Sequence, residues 1–383
     1  MTFHCELLRH AVCVTASGGI SPCCATRKNT ELLTQESNIL NKIHNPLWSE
    51  MITAGDAGIA HENCMSCVKK EEMGAASRRT KLNPHVSKIK TTHGIPDNSC
   101  EILAMDISIS NTCNQKCIMC SSQFSSAWLQ ADLANKKNPI YAKARGNIRY
   151  ENWSLTYEQI DQIVSLITPN TALIEIKGGE PLYDKKFDYL VREACLKNSN
   201  IKVMIATNGS HFTDHTLELL NSIKHLTVCV SIDAINDKYP MIRVFNFNKF
   251  QKSFETAVSN LNRQHTIIVN PTVMKYNLTE IRTLYEWVGN ISKKYNREIN
   301  LNFAQVVTNV QCMSASYGTK DEIYQSIDQF NYIRNDPLGF CNWSGYTTRI
   351  DSIIAFLTSS LTAEVLPSRN AEEQSLLAAR GMG

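Results

Sequence analysis

Three cysteines fall within the short segment SNTCNQKCIMC, at positions 113, 117 and 120. Thiolates are soft ligands that bind iron–sulfur clusters, zinc or copper(I). Three thiols in one loop can hold three irons of a [4Fe–4S] cube and leave the fourth iron open to a ligand from outside the protein. An open iron is what a cluster needs if it is to bind a substrate and pass it an electron. The spacing therefore predicts a reactive cluster on Cys113, Cys117 and Cys120.

Zinc is the alternative metal for the same loop. A tetrahedral zinc site would need a fourth ligand from elsewhere in the chain, such as His93 or Cys100. The context favours iron, because the loop follows the first strand of an α/β pattern, whereas structural zinc usually stabilises small modules that contain few strands.

The elements that must position this loop alternate along most of the chain. Short β-branched runs are separated by longer helical patterns, which predicts a parallel α/β sheet or partial barrel with ligands at the strand ends. The predicted strands cover residues 102–110, 172–177, 202–207, 226–233, 266–273 and 299–307. Helical patterns at DEIYQSIDQFNYI and TTRIDSIIAFLTSSL follow the last strand, and the polar segment SRNAEEQSLLAARGMG is expected to be disordered.

These patterns divide the chain into four predicted parts. Residues 1–80 carry six cysteines and no α/β alternation, which indicates a small separate module. Residues 81–100 belong to a basic, polar stretch that is interpreted as a solvated linker. Residues 101–307 form the predicted core, and residues 308–383 form a helical extension with a polar tail.

The stretch MDISISNTCNQKCIMCSSQFSSAW, with its C-x3-C-x2-C loop after a strand, resembles the cluster loop of radical S-adenosylmethionine (SAM) enzymes. The resemblance implies a partial (β/α)6 barrel over residues 101–307. It also implies that SAM is the ligand of the open iron and is cleaved to a 5′-deoxyadenosyl radical. Many family members have an aromatic residue where this chain has Met119, a thioether that can still pack on the adenine ring.

Further segments at predicted strand ends match the family in order. Gly178-Gly179-Glu180-Pro181 resembles its GGEP motif, in which glycines admit a close approach and the carboxylate accepts hydrogen bonds from the ligand ammonium. Thr207-Asn208-Gly209 resembles its TNG segment. The resemblance implies that SAM contacts the following residues: Gly178, Gly179, Glu180, Asn208, Ser231, Asp233 and Arg243. Taken alone, GGEP has a second interpretation as a tight strand-to-helix turn. The alternative for Arg243 is a solvated side chain or a member of a structural ion pair.

The amino-terminal cysteines form a second predicted site. Cys5, Cys23, Cys64 and Cys67 make a complete tetrahedral set, which fits zinc almost as well as iron. The set resembles the twitch module, a shortened relative of the SPASM module, and this implies an auxiliary [4Fe–4S] cluster amino-terminal to the core. An E-x2-G-x2-S-R run, starting at Glu71 or Glu72, supports the resemblance.

Other cysteines are assigned by position. Cys13 is an alternative to Cys5, and Cys24 is interpreted as a spare buried thiol, although it is a second alternate ligand. Cys195 and Cys229 fall within a predicted helix and strand and are expected in the core. Cys312 and Cys341 are weak candidates for a proton or hydrogen donor to the substrate.

Composition limits the function. The net charge of +3 gives no reason to expect binding to nucleic acid or an anionic membrane, and no long apolar run predicts a spanning helix. The first residues lack the pattern of a signal peptide, so the fourteen cysteines are expected to be reduced thiols in a cytoplasmic protein.

The leading hypothesis is a radical SAM enzyme that abstracts hydrogen from a peptide, protein or small molecule. It would take electrons from a low-potential donor such as flavodoxin or ferredoxin, and the auxiliary cluster could accept the second electron. Two alternatives remain: an iron–sulfur electron-transfer protein without SAM cleavage, and a zinc-stapled binding protein. An intact rim of methionine-binding motifs argues against the first, and metal analysis separates the second.

Overall fold

The chain divides into two compact units in a computed structural model. The structure describes residues 2–26, 31–72, 76–145, 148, 150–303, 311–341, 345–362 and 367–380. The first unit comprises Met1–Thr112, Trp153–Ile205 and Ser222–Leu226. The second unit comprises Cys113–Asn152, Ala206–Asn221 and Thr227–Gly383.

The described residues contain nine strands. They are β1 (Ala11–Val14), β2 (Gly19–Ser21), β3 (Glu31–Leu32), β4 (Ala104–Ser108), β5 (Leu173–Lys177), β6 (Lys202–Thr207), β7 (His225–Val230), β8 (Thr266–Val269) and β9 (Asn300–Leu301).

Fifteen α-helices lie in the same ranges. They are α1 (Leu7–His10), α2 (Pro46–Asp56), α3 (Met65–Glu72), α4 (Arg78–His93), α5 (Leu129–Asn135), α6 (Pro139–Arg145), α7 (Tyr157–Ser165), α8 (Lys185–Lys197), α9 (Asp214–Ser222), α10 (Lys238–Arg243), α11 (Phe247–Asn260), α12 (Ile281–Lys294), α13 (Lys320–Arg334), α14 (Tyr346–Ser360) and α15 (Pro367–Arg380).

The first unit is built on a mixed sheet. β4 pairs in parallel with β5, and β5 pairs in parallel with β6. On its other side β4 pairs in parallel with β1, which continues into the antiparallel strands β2 and β3. Burial alternates along β5, so one face packs on apolar residues while Glu175 and Lys177 share the other.

In the second unit β7 pairs in parallel with β8, and β8 pairs in parallel with β9. Each of the strands β4–β8 is followed by at least one helix before the next strand begins. The predicted α/β class with parallel strands is therefore confirmed. Closure of the sheet into a partial barrel concerns both units and stays a prediction, and the part of the last predicted strand at residues 304–307 lies outside the described residues.

The amino-terminal region differs from its prediction. Residues 78–93 form the helix α4, which covers most of the predicted linker at residues 81–100. Ser77 and Thr80 form a capping box at its start, and Gly94 ends it in the left-handed conformation, with φ of 63°. Because β1 pairs with β4, the cysteine-rich segment shares a sheet with the core instead of standing apart, and the compact units do not follow the predicted boundaries at 80 and 100.

The polar tail also differs from its prediction. Residues 367–380 form the helix α15, although disorder was expected from their polarity. Leu376 is buried against the second unit, and Glu373 is held by Lys275 at 2.7 Å and by the Tyr276 hydroxyl. A buried leucine and a paired carboxylate give this polar sequence the contacts that it needs to fold. Residues 381–383 lie outside the described residues.

Candidate functional site

The three-cysteine loop is shaped by its own backbone and by sulfur contacts. Cys117 is buried, and the Cys120 amide donates to the Cys117 carbonyl at 3.0 Å. The Gln115 amide donates to the Cys113 sulfur at 3.5 Å. An amide that donates to a sulfur favours the thiolate form, because the hydrogen bond stabilises negative charge. This contact therefore favours a thiolate at Cys113, whereas the Cys117 sulfur donates to the Gln115 side-chain oxygen at 3.6 Å and to the Arg243 carbonyl at 3.8 Å.

Helices α5 and α6 hold this loop from outside. The Trp128 indole donates to the Cys117 carbonyl at 2.9 Å. Asp132, at the start of α5, is fully buried; its carboxylate accepts from the Ser122 amide at 2.7 Å and from the Tyr141 hydroxyl. Fixing the segment on both sides of Cys120 restricts the positions that the three thiols can take.

Arg243 and Asp233 meet beside Cys117. The Arg243 Nε donates to the Asp233 carboxylate at 2.6 Å, and Nη1 lies 3.9 Å from the Cys117 sulfur. Burial disfavours the charge on Arg243, but the facing Asp233 outweighs it and raises the pKa of the guanidinium. The two residues predicted to contact SAM therefore pair with each other, as in the alternative of a structural ion pair, and their contact with SAM stays a prediction.

The TNG segment reaches the loop as well. The Asn208 side chain donates to Asn114 Oδ1 at 2.9 Å and lies 3.9 Å from the Cys113 sulfur. The Ser231 amide donates to the Thr207 carbonyl at 2.9 Å, so the ends of β6 and β7 are neighbours at this place. Within the second unit, segments far apart in the sequence converge on the cysteine loop.

GGEP lies in the first unit, against the residue that precedes Cys113 in the chain. Gly178 and Gly179 have φ of 84° and 59°, and a Cβ on Gly179 would lie 2.2 Å from the Thr112 carbonyl oxygen. The Glu180 amide donates to that oxygen at 2.8 Å. Only glycine satisfies both the backbone conformation and the close approach.

The Glu180 carboxylate has a local role in this turn. It is buried, and it accepts from the Leu182 amide at 3.1 Å at the start of a 3-10 helix, Pro181–Tyr183. This is the strand-to-helix turn that was the alternative interpretation of the motif. Binding of a ligand ammonium by Glu180 stays a prediction.

The amino-terminal cysteines share one cavity in the first unit. Cys5 precedes α1, Cys23 follows β2, and Cys64 and Cys67 lie at the start of α3. All four line the same cavity. Burial, with a smaller contribution from the neighbouring thiols Cys23 and Cys67, raises the pKa of Cys64 to about 12. The thiols are therefore uncharged at neutral pH, and metal binding here would have to release their protons, because a metal ligand is a thiolate.

The two alternate ligands lie away from that cavity. Cys13 is buried on β1, directly opposite Asp106 of β4. Cys24 lines a neighbouring cavity with Arg78 and Asp106. The arrangement favours Cys5, Cys23, Cys64 and Cys67 as the ligand set.

A half-buried ion group near Cys24 was missed in the sequence. Arg78 binds both carboxylate oxygens of Glu175, at 3.1 and 2.6 Å, and Lys177 donates to Asp106 at 2.7 Å. The available signal was a pair of charges two residues apart in a strand whose other positions are apolar, since such charges share one face. This group ties α4 to β4 and β5.

The run after Cys67 is partly described. Glu71 accepts from the Ser77 hydroxyl at 2.5 Å and from the Arg79 guanidinium. Glu71, not Glu72, therefore makes the described contacts with Ser77 and Arg79, while Gly74 lies outside the described residues.

The remaining assignments are placed as follows. Cys195 lies on α8 and Cys229 on β7, and Cys312 and Met119 share an apolar cluster with Cys117. Among the described residues no group of three or more His, Cys, Asp or Glu side chains is set to hold a single metal ion. The ligand roles of both cysteine sets, and of His93 or Cys100 in the zinc alternative, stay predictions. No helix in the described ranges is long and apolar enough to cross a membrane.

Comparisons with known proteins point to one superfamily. The sequence profile of the Radical SAM superfamily matches residues 107–288. The chain is 24% identical over 232 residues to the sporulation killing factor maturation protein SkfB of Bacillus subtilis (strain 168), covering 58% of this chain and 50% of that protein. It is 32% identical over 109 residues to the GTP 3′,8-cyclase of Rhizobium etli, covering 27% of this chain and 31% of that protein. The chain thus spans about half or less of these curated relatives.

Two solved structures are similar over most of the chain. Streptococcus suis SuiB bound to the precursor peptide SuiA has a TM-score of 0.46 at 16% identity, covering 78% of this chain and 67% of that one. Methylornithine synthase (PylB) has a TM-score of 0.38 at 13% identity, covering 79% of this chain and 77% of that one.

Proposed function

Because this chain belongs to the radical SAM superfamily through residues 107–288, we propose that it cleaves SAM reductively and uses the resulting radical to abstract hydrogen from a substrate. One observation carries the proposal. The polar groups Asn208 and Arg243, from two distant segments, lie at 3.9 Å from the sulfurs of two of the three loop cysteines. The donor set, three thiols with amide and guanidinium groups directed at them, fits an anionic cluster.

Cys113, Cys117 and Cys120 would hold the [4Fe–4S] cluster. When bound, the cluster and SAM supply the 5′-deoxyadenosyl radical. The protein orients and shields this chemistry. Burial of Cys117 excludes water on one side of the loop, and the Gln115 amide stabilises the Cys113 thiolate. Gly178, Gly179, Glu180, Asn208, Ser231, Asp233 and Arg243 are the residues proposed to line the SAM site.

The second part of the proposal is an auxiliary [4Fe–4S] cluster on Cys5, Cys23, Cys64 and Cys67. Its support is the shared cavity that the four thiols line, together with the mutual effect of their charges on pKa. The Thr26 hydroxyl donates to the Cys23 carbonyl at 2.9 Å and lies 3.6 Å from the Cys23 sulfur, so it holds the backbone that carries this thiol. Such a cluster could take the second electron of a net oxidation.

The proposed substrate is a peptide, a protein or a small molecule. The curated relatives name both kinds: one is a maturation protein for a killing factor, and the other is a GTP cyclase. The electron would come from a low-potential donor such as flavodoxin or ferredoxin. A cytoplasmic location belongs to the same proposal, because all fourteen cysteines are free thiols, as in a reducing compartment.

The test is anaerobic turnover of SAM. Protein reconstituted with iron and sulfide is mixed with dithionite and SAM, and 5′-deoxyadenosine is measured by chromatography. The wild type should form it, whereas a Cys113→Ala/Cys117→Ala/Cys120→Ala variant should not. The matched control is Cys195→Ala, which removes a thiol on α8 and should leave the yield unchanged. Equal yields from the triple variant and the wild type would refute the proposal.

A further inference from the structure

The carboxyl-terminal helix α15 packs directly on the three-cysteine loop. Leu376 is buried in the apolar cluster that contains Cys117, Ile118 and Met119, and Leu377 and Ala379 pack against the same cluster. The Lys116 ammonium donates to the Ala379 carbonyl at 3.3 Å. A cation at the last carbonyls of a helix is favourable, because these groups carry partial negative charge. The last turn of α15 is thus fixed to the loop.

This packing buries Arg380 with no anionic partner among the described residues. The side chain is 8% exposed, and its Nε and Nη1 have no hydrogen-bond partner in the same part of the chain. Its Nη2 donates to the Pro240 carbonyl in a long contact of 3.4 Å. No described carboxylate lies within ion-pair distance of it. An unpaired buried guanidinium is costly, which indicates that an anionic group completes this place.

The acidic residues of α15 do not fill that role. Glu373 is bound by Lys275 and Tyr276, and Glu372 lies 3.1 Å from the Lys143 ammonium. The thiols are the other candidates. Ala379, the residue before Arg380, packs on the apolar cluster that contains Cys117, and its carbonyl accepts from Lys116, the residue before Cys117. These contacts of α15 therefore bring Arg380 to the three-cysteine loop.

Arg380 differs from Arg243 in the charge that it leaves at the loop. Arg243 also lies near Cys117, but Asp233 faces it at 2.6 Å, so the pair is neutral as a whole. Arg380 has no such counterion among the described side chains. Its full positive charge therefore acts on whatever the three thiols hold.

We propose that Arg380 is a positioning residue for the cluster of the three-cysteine loop. Helix α15 places its positive charge beside Cys117, with no counterion among the described side chains. The inference rests on the proposed cluster. One-electron reduction makes a cluster more negative, so a nearby positive charge favours the reduced form. Arg380 thereby raises the midpoint potential of this cluster and makes its reduction by a one-electron donor easier.

The test is a redox titration of reconstituted, full-length protein with dithionite, followed by electron paramagnetic resonance without SAM. The signal of this cluster is the one that disappears in the Cys113→Ala/Cys117→Ala/Cys120→Ala variant. In Arg380→Gln the ratio of reduced to oxidised cluster at a fixed potential should fall about tenfold, which is about 59 mV for one electron. Arg380→Lys should keep most of the wild-type ratio, and the exposed control Arg282→Gln should keep all of it.

The outcomes separate this inference from the proposed function. If the triple cysteine variant loses no iron and no signal relative to wild type, the proposed cluster is refuted. If the cluster is present and Arg380→Gln leaves its potential unchanged at normal iron content, only the role of Arg380 is refuted. A change confined to the SAM dissociation constant would also overturn it, because the partner of Arg380 would then be SAM. If Arg380→Gln loses iron through misfolding, the midpoint potentials of Arg380→Lys and Leu376→Ala are compared instead. Arg380→Lys keeps the positive charge and should keep the wild-type potential, whereas Leu376→Ala loses the contact of α15 with the loop and should lower it. Equal potentials in these two variants would refute the role of Arg380.

Discussion

Removing the charge of Asp233 tests whether the buried pair with Arg243 holds the second unit together. Asn at position 233 keeps the shape of the side chain and can still accept the hydrogen bond that Thr272 donates to Oδ1 at 2.8 Å. It leaves the buried Arg243 guanidinium without its counterion. Breaking a buried pair from one side costs about 3–5 kcal/mol, because the remaining charge stays desolvated.

A surface pair in the same unit provides the matched control. Arg334 binds both oxygens of Asp351, at 2.6 and 3.2 Å, with both side chains nearly half exposed. The same substitution at Asp351 should cost about 0–1 kcal/mol, because solvent screens the pair. The two variants thus differ in burial and not in the chemistry of the change.

The assay is urea unfolding of cluster-free protein under reducing conditions, followed by circular dichroism. The free energies of unfolding are compared between variants whose free energy falls with the same slope against urea concentration. Asp233→Asn should lower the free energy of unfolding by several times the loss seen in Asp351→Asn. Adding Arg243→Gln to Asp233→Asn should restore part of the loss, because no buried charge then remains. Equal losses for Asp233→Asn and Asp351→Asn would refute the argument.

Three further predictions concern the first unit. Gly179→Ala should lower the midpoint of urea unfolding more than Gly94→Ala. Both residues have positive φ, but only a Cβ on Gly179 would meet a backbone oxygen. Equal shifts in the two variants would contradict this close approach. Cys64→Ser/Cys67→Ser should reduce reconstituted iron from about eight to about four per chain, whereas Cys24→Ser should keep it; loss of iron in Cys24→Ser would overturn the ligand set. Burial raises the pKa of Glu6, but hydrogen bonds from Lys90, His4 and Ser87 outweigh it, so the pKa is lowered from 4.5. The stability advantage of wild type over Glu6→Gln should therefore be full at pH 7 and shrink as the pH falls below 4.5, and an advantage independent of pH would show that the charge is not its source.

The core strands were predictable because their burial is regular. β6 matches its predicted bounds, Lys202–Thr207, since alternate residues of this run are buried. The approach of Asn208 to the cysteine loop agrees with its position directly after β6, whereas Arg243 ends the helix α10 and was predicted only from the family resemblance. Their partners did not follow, because no local pattern shows that Arg243 faces Asp233.

The amino-terminal and carboxyl-terminal helices were missed for a different reason. Only Val86 and Lys90 are buried in α4, so it shows almost no apolar periodicity. Its signals were the caps, Ser77 before the helix and Gly94 after it. The strand AVCV at residues 11–14 was not predicted, because an apolar run of four residues is too short for its periodicity to distinguish a strand from a helix. In α15 the buried contacts come from the rest of the second unit, which local sequence cannot show.

The parallel pairing of β1 with β4 sets an order on the assembly of the chain. β1 is synthesised first, yet its partner Ala104–Ile107 follows only after α2, α3 and α4. The residues around β1, including Cys5 and Cys23, are therefore fixed only after β4 has formed, and loading of the proposed auxiliary cluster would follow the folding of this first core strand. A truncated chain that begins at residue 81 would leave β4 with an open edge, and open edges pair with other chains. Removal of the cysteine-rich segment would thus produce an aggregating core and not an isolated catalytic one.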